Sequence, residues 1–291
     1  MIQVFRNQFD INNSTSTEFN SVTLVISFYK STRMLELVLA SLENQTSKNF
    51  NLIICDDGSS ESIVEYMQNK FDNLNYPILH IWHPDSGFRK NRILNWGLHY
   101  CKTDYMIFID QDCILHPAFI SEHLENKKPK SVLCGRRINL TSTVSQLLTP
   151  DKIKHYFVEK NIWWIILVGL FMKDNNGIKG IYYKNNFLRR LANRKPRGIV
   201  GCNFSVFKQD LLDINGFDTR YEGAGFGEDS DIEFRLKLNN VVMIPFCNTA
   251  VQYHIYHSLL TRSNENGNLY NEVVRANKAK TIFGLAEQIK D

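Results

Sequence analysis

The chain has 291 residues, of which 43% are hydrophobic and 22% are charged. This composition excludes a disordered or fibrous protein, and the length suits one α/β domain with an elaborated second half. The net charge of +4 is too small to predict a nucleic-acid partner. The six cysteines form no C-x-x-C pair, and the longest apolar run, residues 162–172, is too short to span a bilayer. We therefore expect reduced thiols and a cytoplasmic protein.

The first 115 residues alternate between two patterns after a polar lead-in over residues 1–20. Short, apolar, β-branched runs predict buried strands over residues 22–27, 49–55, 78–82 and 105–109. Helical spacing of apolar residues predicts helices over residues 34–44, 62–70 and 90–99. The alternation indicates a doubly wound, Rossmann-like, mostly parallel sheet with helices on both faces. Neither G-x-G-x-x-G nor a P-loop follows the first strand, which excludes the two commonest nucleotide-binding motifs.

Polar residues follow three of these predicted strands. They are Ser27-Phe28-Tyr29, Asp56-Asp57 and Asp110-Gln111-Asp112. Ligands of open α/β sheets bind at the carboxyl ends of the strands, so we expect these residues to converge on one edge and form a binding site.

The triplet at residues 110–112 is the strongest candidate for a metal site. Carboxylates at positions i and i+2 of an extended segment point the same way, so Asp110 and Asp112 can grip one cation, or a cation and a ribose hydroxyl. Oxygen ligands suit Mg²⁺ or Mn²⁺, which would bridge the phosphates of a nucleoside diphosphate. A solvated turn is the alternative for such a triplet.

Two further elements allow both a structural and a functional interpretation. Asp56 and Asp57 either belong to a plain strand-to-helix turn or bind a uracil base, with one aspartate accepting the imide N–H. Arg89, Lys90 and Arg92 begin the helix before the fourth strand, where they form either a solvated face or a phosphate site at a helix N-terminus.

The second half of the chain is less regular. We divide the whole chain into a lead-in (1–20), a nucleotide-sugar-binding half (21–140), a basic and aromatic insert (141–197), an acceptor and catalytic half (198–262) and a helical tail (263–291). Residues 151–197 contain 11 Lys and Arg against 3 Asp and Glu. This insert is either an amphipathic core helix with a solvated basic face or a contact to an anionic membrane surface. In the second case Trp163 and Trp164 enter the lipid interface, and basic side chains meet the headgroups, namely Arg189, Arg190, Arg194, Lys195 and Arg197.

Five motifs in order resemble the family 2 type glycosyltransferases with the GT-A fold over about residues 20–260. They are V-I-S-F-Y-K, D-D-G-S-S, G-F-R-K-N-R-x-x-x-N, I-D-Q-D and G-F-G-E-D-S-D. The last segment is also similar to β-1,4-galactosyltransferases, polypeptide N-acetylgalactosaminyltransferases and chondroitin-polymerase-like bacterial enzymes. The chain departs from the family at Lys90-Asn91, where a small residue is usual, and at Phe226, where tryptophan is preferred.

The resemblance implies roles for particular residues. A carboxylate, Asp229 rather than Glu228, is the general base. Asp112 binds Mn²⁺ or Mg²⁺ together with His257 or His254, and Asp110 binds the ribose or the same metal. The other residues expected to bind the nucleotide sugar, which is the sugar donor, are Ser27, Phe28, Tyr29, Asp56, Asp57, Arg89, Arg92 and Gln111. The residues expected to bind the sugar acceptor are Asn203, Gly225 and Phe226.

The predicted function is an inverting, metal-dependent transfer of a hexose or N-acetylhexosamine from a UDP-sugar to a glycan or glycolipid hydroxyl, with inversion implied by the resemblance alone. The setting is surface polysaccharide or lipopolysaccharide synthesis in the cytoplasm, with peripheral contact at the inner face of the membrane. The alternatives are a nucleotide-sugar or glycan-binding protein without turnover, and a metal-dependent phosphohydrolase or nucleotidyltransferase. The last of these would release phosphate or pyrophosphate rather than UDP.

Overall fold

The fold is built around two sheets. The computed structural model describes residues 1–12, 22–171, 177–223, 225, 227–258 and 265–290. Phe226, predicted to contact the acceptor, lies outside the described residues. The strands, in chain order, are β1 (Gln3–Arg6), β2 (Thr23–Phe28), β3 (Asn51–Asp56), β4 (Ile78–Trp82), β5 (Tyr105–Asp110), β6 (Cys113–Leu115), β7 (Ser131–Cys134), β8 (Arg136–Asn139), β9 (Asn203–Phe207), β10 (Val242–Pro245) and β11 (Val251–His254).

The helices surround these sheets and account for most of the connections. They are α1 (Gln8–Asn12), α2 (Thr32–Glu43), α3 (Glu61–Phe71), α4 (Lys90–Tyr100), α5 (Phe119–Asn126), α6 (Ser142–Leu147), α7 (Pro150–Lys154), α8 (Phe157–Lys160), α9 (Ile162–Phe171), α10 (Asn186–Ala192), α11 (Lys208–Asp213), α12 (Glu228–Leu238), α13 (Glu265–Ala276) and α14 (Leu285–Gln288). A 3₁₀ turn, Gly177–Gly180, follows α9.

The larger sheet has eight strands in the order β1-β4-β3-β2-β5-β9-β7-β10. The block β4-β3-β2-β5 is parallel, as predicted, and Ser27 of β2 lies opposite Asp110 of β5. The smaller sheet, in the order β6-β11-β8, begins directly after the acidic triplet. Consequently the carboxyl end of β5 meets both sheets.

Both faces of the parallel block are buried, as the continuous apolar runs predict. Leu24, Ile26 and Ile54 pack into one core, while Val25 and Ile53 pack into another on the opposite face. This alternation follows from the two-residue period of a strand. The sheet is therefore a rigid platform for the residues at its carboxyl edge.

Strands β1 and β9 were not predicted, and each pairs antiparallel with a strand of the parallel block. The polar lead-in contributes β1, which covers the edge strand β4. Strand β9, from the second half of the chain, inserts between β5 and β7. Phe204 of β9 stacks on Phe108 of β5 with ring centroids 4.7 Å apart. The two halves of the chain therefore share one sheet and one core.

The described part of the insert contains the five short helices α6–α10. Basic side chains such as Arg190 and Arg194 are exposed on or beside α10, as a solvated basic face requires, but the exposed side of α9 is apolar. Trp163 and Phe171 of this helix are exposed by 70% and 81%.

Candidate active site

The carboxyl ends of β2 and β5 are tied together by side-chain hydrogen bonds. The Ser27 hydroxyl donates to Asp110 Oδ1 over 2.6 Å. The Gln111 amide bonds the backbone of Tyr29 twice, accepting from its N–H at 2.9 Å and donating to its carbonyl at 3.1 Å. Four of the residues predicted to bind the nucleotide sugar thus lie together at the carboxyl edge of the sheet, namely Ser27, Tyr29, Asp110 and Gln111.

Lys90, expected only as part of a possible phosphate site, pairs with Asp110 instead. It is the first residue of α4, and its Nζ lies 2.8 Å from Asp110 Oδ1 in a partly buried ion pair. Burial opposes its charge, but the carboxylates of Asp110, Asp229 and Glu228 raise the pKa of Lys90 above its ordinary value. The signal in the sequence was its departure from the family pattern, which marked the position without giving the partner.

A metal-binding geometry forms at the junction of the two sheets. Asp112 Oδ2 lies 3.2 Å from His254 Nε2 and 3.0 Å from His257 Nε2. One ligand atom from each of these three residues lies within 4.8 Å of the others. Asp110 does not join this cluster, because its carboxylate bonds Ser27 and Lys90 instead.

The three ligand groups of this cluster suit a divalent cation. Burial alone would raise the pKa of Asp112, but hydrogen bonds from His254 and His257 outweigh burial and lower that pKa. The two imidazole Nε2 atoms also face each other at 3.2 Å, a contact in which one nitrogen must carry a proton. A cation would accept electron pairs from all three groups at once, and two imidazoles favour a transition metal over Mg²⁺, which prefers oxygen ligands.

The predicted base lies in a cleft that faces Lys90. Asp229, in the first turn of α12, accepts the Gly201 N–H at Oδ2 over 2.7 Å. A Cβ at Gly201 would come within 2.3 Å of Asp229 Oδ1, so this approach requires glycine. The Glu228 side chain borders the same cleft, and its Oε2 is buried without a hydrogen-bond partner among the described residues.

The surroundings of Asp229 in this cleft raise its pKa. Burial raises the pKa of Asp229 to about 6, with Lys90 opposing the shift and Glu228 adding to it. A carboxylate with a pKa near the working pH is a more effective base than an ordinary aspartate.

The D-D-G-S-S element places its two aspartates differently. Asp56 is fully buried and bonds the Ser59 N–H at 2.9 Å and His80 Nε2 at 3.1 Å, which is a structural role. Asp57 pairs with His83 Nε2 at 2.7 Å and accepts the Arg89 N–H at 2.8 Å. Asp57 follows the last residue of β3, and both of its carboxylate oxygens have partners within the protein.

Three other predicted side chains have structural partners. Phe28 is buried in the core beneath β2. Asn203 is fully buried, and its side chain donates to the carbonyls of Arg136 and Ala250. The Arg89 guanidinium donates to the Pro84 carbonyl. Arg92 lies half-buried on α4, and Gly225 is exposed with a φ of +126°.

A mostly parallel α/β sheet with an Asp–His–His cluster at its carboxyl edge is the arrangement of a GT-A type glycosyltransferase, and solved structures of that fold resemble this chain. The chain belongs to glycosyl transferase family 2, whose model matches residues 23–194. A second model, described as the N-terminal domain of galactosyltransferase, matches residues 191–258. The predicted family and fold are thereby confirmed.

Curated relatives include chondroitin synthases. The Escherichia coli enzyme is 27% identical over 225 residues, covering 75% of this chain and 32% of the relative. The chondroitin synthase of Pasteurella multocida (strain Pm70) is 27% identical over 231 residues, covering 74% of this chain and 23% of the relative. The chain thus spans a third or less of these relatives.

Solved structures support the fold. S. aureus TarS 1–349 in complex with UDP has a TM-score of 0.54 and 14% identity, covering 92% of this chain and 68% of that chain. A mannosyltransferase from Pyrobaculum calidifontis in complex with GDP-Man and Mn²⁺ has a TM-score of 0.50 and 12% identity, covering 83% and 59%. At such identities the likeness extends to the fold alone.

Proposed function

We propose that this chain transfers a hexose or N-acetylhexosamine from a UDP-sugar to a hydroxyl of a glycan or glycolipid acceptor, with inversion and with a bound Mn²⁺ ion, in surface polysaccharide synthesis. The observation that carries the proposal is the Asp112–His254–His257 cluster beside the strand end of Asp110, with Asp229 across a cleft. UDP in the TarS complex and Mn²⁺ in the mannosyltransferase complex support the choice of donor and ion.

Asp229 carries the proton transfer in this proposal. Its carboxylate takes the proton from the acceptor hydroxyl while the acceptor oxygen bonds the anomeric carbon of the donor. The bond from that carbon to the diphosphate oxygen breaks, and UDP leaves with the electron pair. The Gly201 N–H holds the carboxylate in place for this step.

The donor lies across the carboxyl ends of β2, β3 and β5. Asp57 accepts the imide N–H of uracil, Asp110 bonds the ribose, and Arg92 contacts the diphosphate. Asp112, His254 and His257 would hold the cation, which would supply positive charge against the departing diphosphate. Lys90, at the start of α4, adds a positive charge on the same side of the cleft.

The proposal is tested by product analysis. The full chain is incubated with Mn²⁺ and a panel of UDP-sugars, and released UDP and inorganic phosphate are measured separately. We expect UDP from one donor, no phosphate, and loss of UDP release in Asp112→Ala. The matched control is His99→Ala, at an exposed histidine on α4 whose ring contacts Trp96 edge to face. Release of phosphate, or equal UDP release by wild type and Asp112→Ala, would refute the proposed chemistry or the metal site.

A further inference from the structure

Helix α9 exposes an apolar stripe that the catalytic site does not use. Every residue of this helix is apolar, yet only Ile165, Ile166 and Gly169 are buried. The opposite side carries large exposed side chains at Trp163, Trp164, Leu167, Leu170 and Phe171. The spacing i, i+4, i+7 and i+8 from Trp163 places them on one continuous face of the helix.

The apolar surface continues beyond α9. Ile178 is 63% exposed on the 3₁₀ turn, whose Gly177 packs against Ile166 of α9. None of the seven residues of α10, all of them described, is buried, and Phe187, Leu188 and Leu191 are exposed. Of the 21 large apolar side chains exposed in the described residues, nine fall within residues 162–191, so they form a concentration rather than scattered surface residues. We call this set the α9–α10 surface.

Among the described residues, the exposed charges on or directly beside α9 and α10 are positive. Lys160 precedes α9, and exposed Lys184, Arg190, Arg194 and Lys195 lie on or beside α10. Arg189 is different, because it pairs with Glu122 of α5 through hydrogen bonds at 2.9 Å and 2.5 Å and so anchors α10 to the body of the protein. The structure thus removes Arg189 from the predicted set of lipid contacts.

The α9–α10 surface is fixed to the small sheet that carries part of the metal cluster. Tyr253 of β11 and Ile138 of β8 share a core with Ile165 of α9, and the Tyr253 hydroxyl lies 3.5 Å from the Gly180 carbonyl. His254, the next residue of β11, belongs to the metal cluster. A ligand of this surface would therefore be held at a fixed position relative to the catalytic edge.

We propose that the α9–α10 surface docks on a bilayer that contains anionic lipid. Tryptophan, phenylalanine and leucine beside Lys and Arg are the combination that binds a membrane interface, where apolar groups enter the acyl boundary and cations meet headgroups. A second copy of the chain would bring two positive surfaces together, which opposes a symmetric dimer at this face.

The geometry specifies attachment to the membrane rather than passage through it. Helix α9 has 10 residues and is about 15 Å long, half of the roughly 30 Å hydrocarbon core. Among the described residues, no helix combines the length and apolar character that crossing a bilayer requires. The docking proposal is independent of the donor chemistry, because no residue of the metal cluster or of the cleft belongs to this surface.

The test is cosedimentation of the full chain with vesicles. Wild type is expected to bind vesicles of phosphatidylglycerol and phosphatidylcholine at low salt, to bind weakly to phosphatidylcholine alone, and to dissociate at high salt. The double variant Trp163→Ser/Leu170→Ser is expected to bind at least ~10-fold more weakly. Arg190→Glu/Arg194→Glu is expected to lose binding to anionic vesicles, since each basic residue near such a surface contributes about 5-fold.

Matched controls alter exposed residues elsewhere. Ile282→Ser removes an apolar side chain that is 70% exposed, and Lys102→Glu reverses an exposed charge; both are expected to bind like wild type. UDP release with a soluble acceptor is expected to be unchanged in all four variants, so failure of the docking proposal is distinguishable from failure of the catalytic one. Absence of binding by wild type, equal binding by all variants, or a dimer that Trp163→Ser/Leu170→Ser dissociates would overturn the proposal.

Discussion

Replacing Asp229 with asparagine isolates its role as a base. The amide oxygen of the substituted side chain can still accept the Gly201 N–H that Asp229 Oδ2 accepts at 2.7 Å, and the side-chain volume is nearly unchanged. Lys90 keeps its ion pair with Asp110 at 2.8 Å. The fold and the donor site are therefore expected to survive, while the cleft loses a proton acceptor. Removal of a general base costs about 10²- to 10⁴-fold in rate, or roughly 3–5 kcal/mol of barrier.

The assay is the initial rate of UDP release with saturating UDP-sugar, Mn²⁺ and acceptor. We expect kcat to fall by about 10²-fold or more in Asp229→Asn. UDP affinity by calorimetry and the melting temperature should stay near wild type. Glu228→Gln is the matched control and should lose far less activity. An Asp229→Asn enzyme within about 10-fold of wild type, or a larger loss in Glu228→Gln, would refute the assignment.

The pH profile gives an independent readout of the same group. Asp229 acts as a base only when ionised, and burial raises its pKa to about 6. In wild type, kcat/KM should rise with pH up to about 6 and then level off. The residual activity of Asp229→Asn should lack this acidic limb, and an unchanged limb would show that another group titrates.

Three further changes test other parts of the structure. Lys90→Met removes the cation that opposes the raised pKa of Asp229, so the acidic limb of kcat/KM should move to higher pH; a shift to lower pH, or none, would contradict this. His257→Ala should weaken Mn²⁺ binding by at least ~10-fold, measured by the electron paramagnetic resonance of free Mn²⁺, whereas His99→Ala should not. Asp231→Ala leaves Arg235 buried without its ion pair and should lower the unfolding free energy by about 3–5 kcal/mol in urea. Its control, Asp213→Ala at an exposed ion pair, should cost about 1 kcal/mol or less, and equal effects would contradict the burial argument.

The parallel half of the fold could be predicted from the sequence because its strands are buried on both faces. Continuous apolar runs gave β2, β3, β4 and β5 to within two residues. Strand β1 is a polar edge strand whose apolar pattern is weak, and β9 follows an irregular stretch over residues 193–202 that contains two glycines. Their antiparallel pairings join distant parts of the chain, which local periodicity does not reveal.

The site was predictable in its residues but not in its pairings. The spacing of the carboxylates supplied Asp112 and the resemblance supplied His254 and His257, and the structure brings the three together. The separation of Asp110 from that cluster depends on Lys90, whose reach across the cleft is a tertiary property. A long, flexible side chain at the start of a helix gives no local signal of its partner.

Buried polar residues cannot be told apart from catalytic residues by sequence alone. In G-E-D-S-D-I-E-F-R, the pair Asp231 and Arg235 has the i, i+4 spacing of a helix, but its burial could not be inferred from that spacing. Arg235 also donates to the carbonyls of Ile214 and Gly216, which fixes the segment before α12. Such groups resemble catalytic residues in sequence because both kinds are polar and surrounded by glycine and apolar residues.

The most direct test of metal-dependent sugar transfer follows a labelled sugar from a UDP-sugar to its acceptor. Purified protein is treated with a chelator, and transfer is measured before and after Mn²⁺ is restored. We expect labelled product and UDP in equal amounts. Both should be lost when the chelator is added and should return when Mn²⁺ is restored. Transfer that persists without the metal, or release of phosphate in place of UDP, would contradict it.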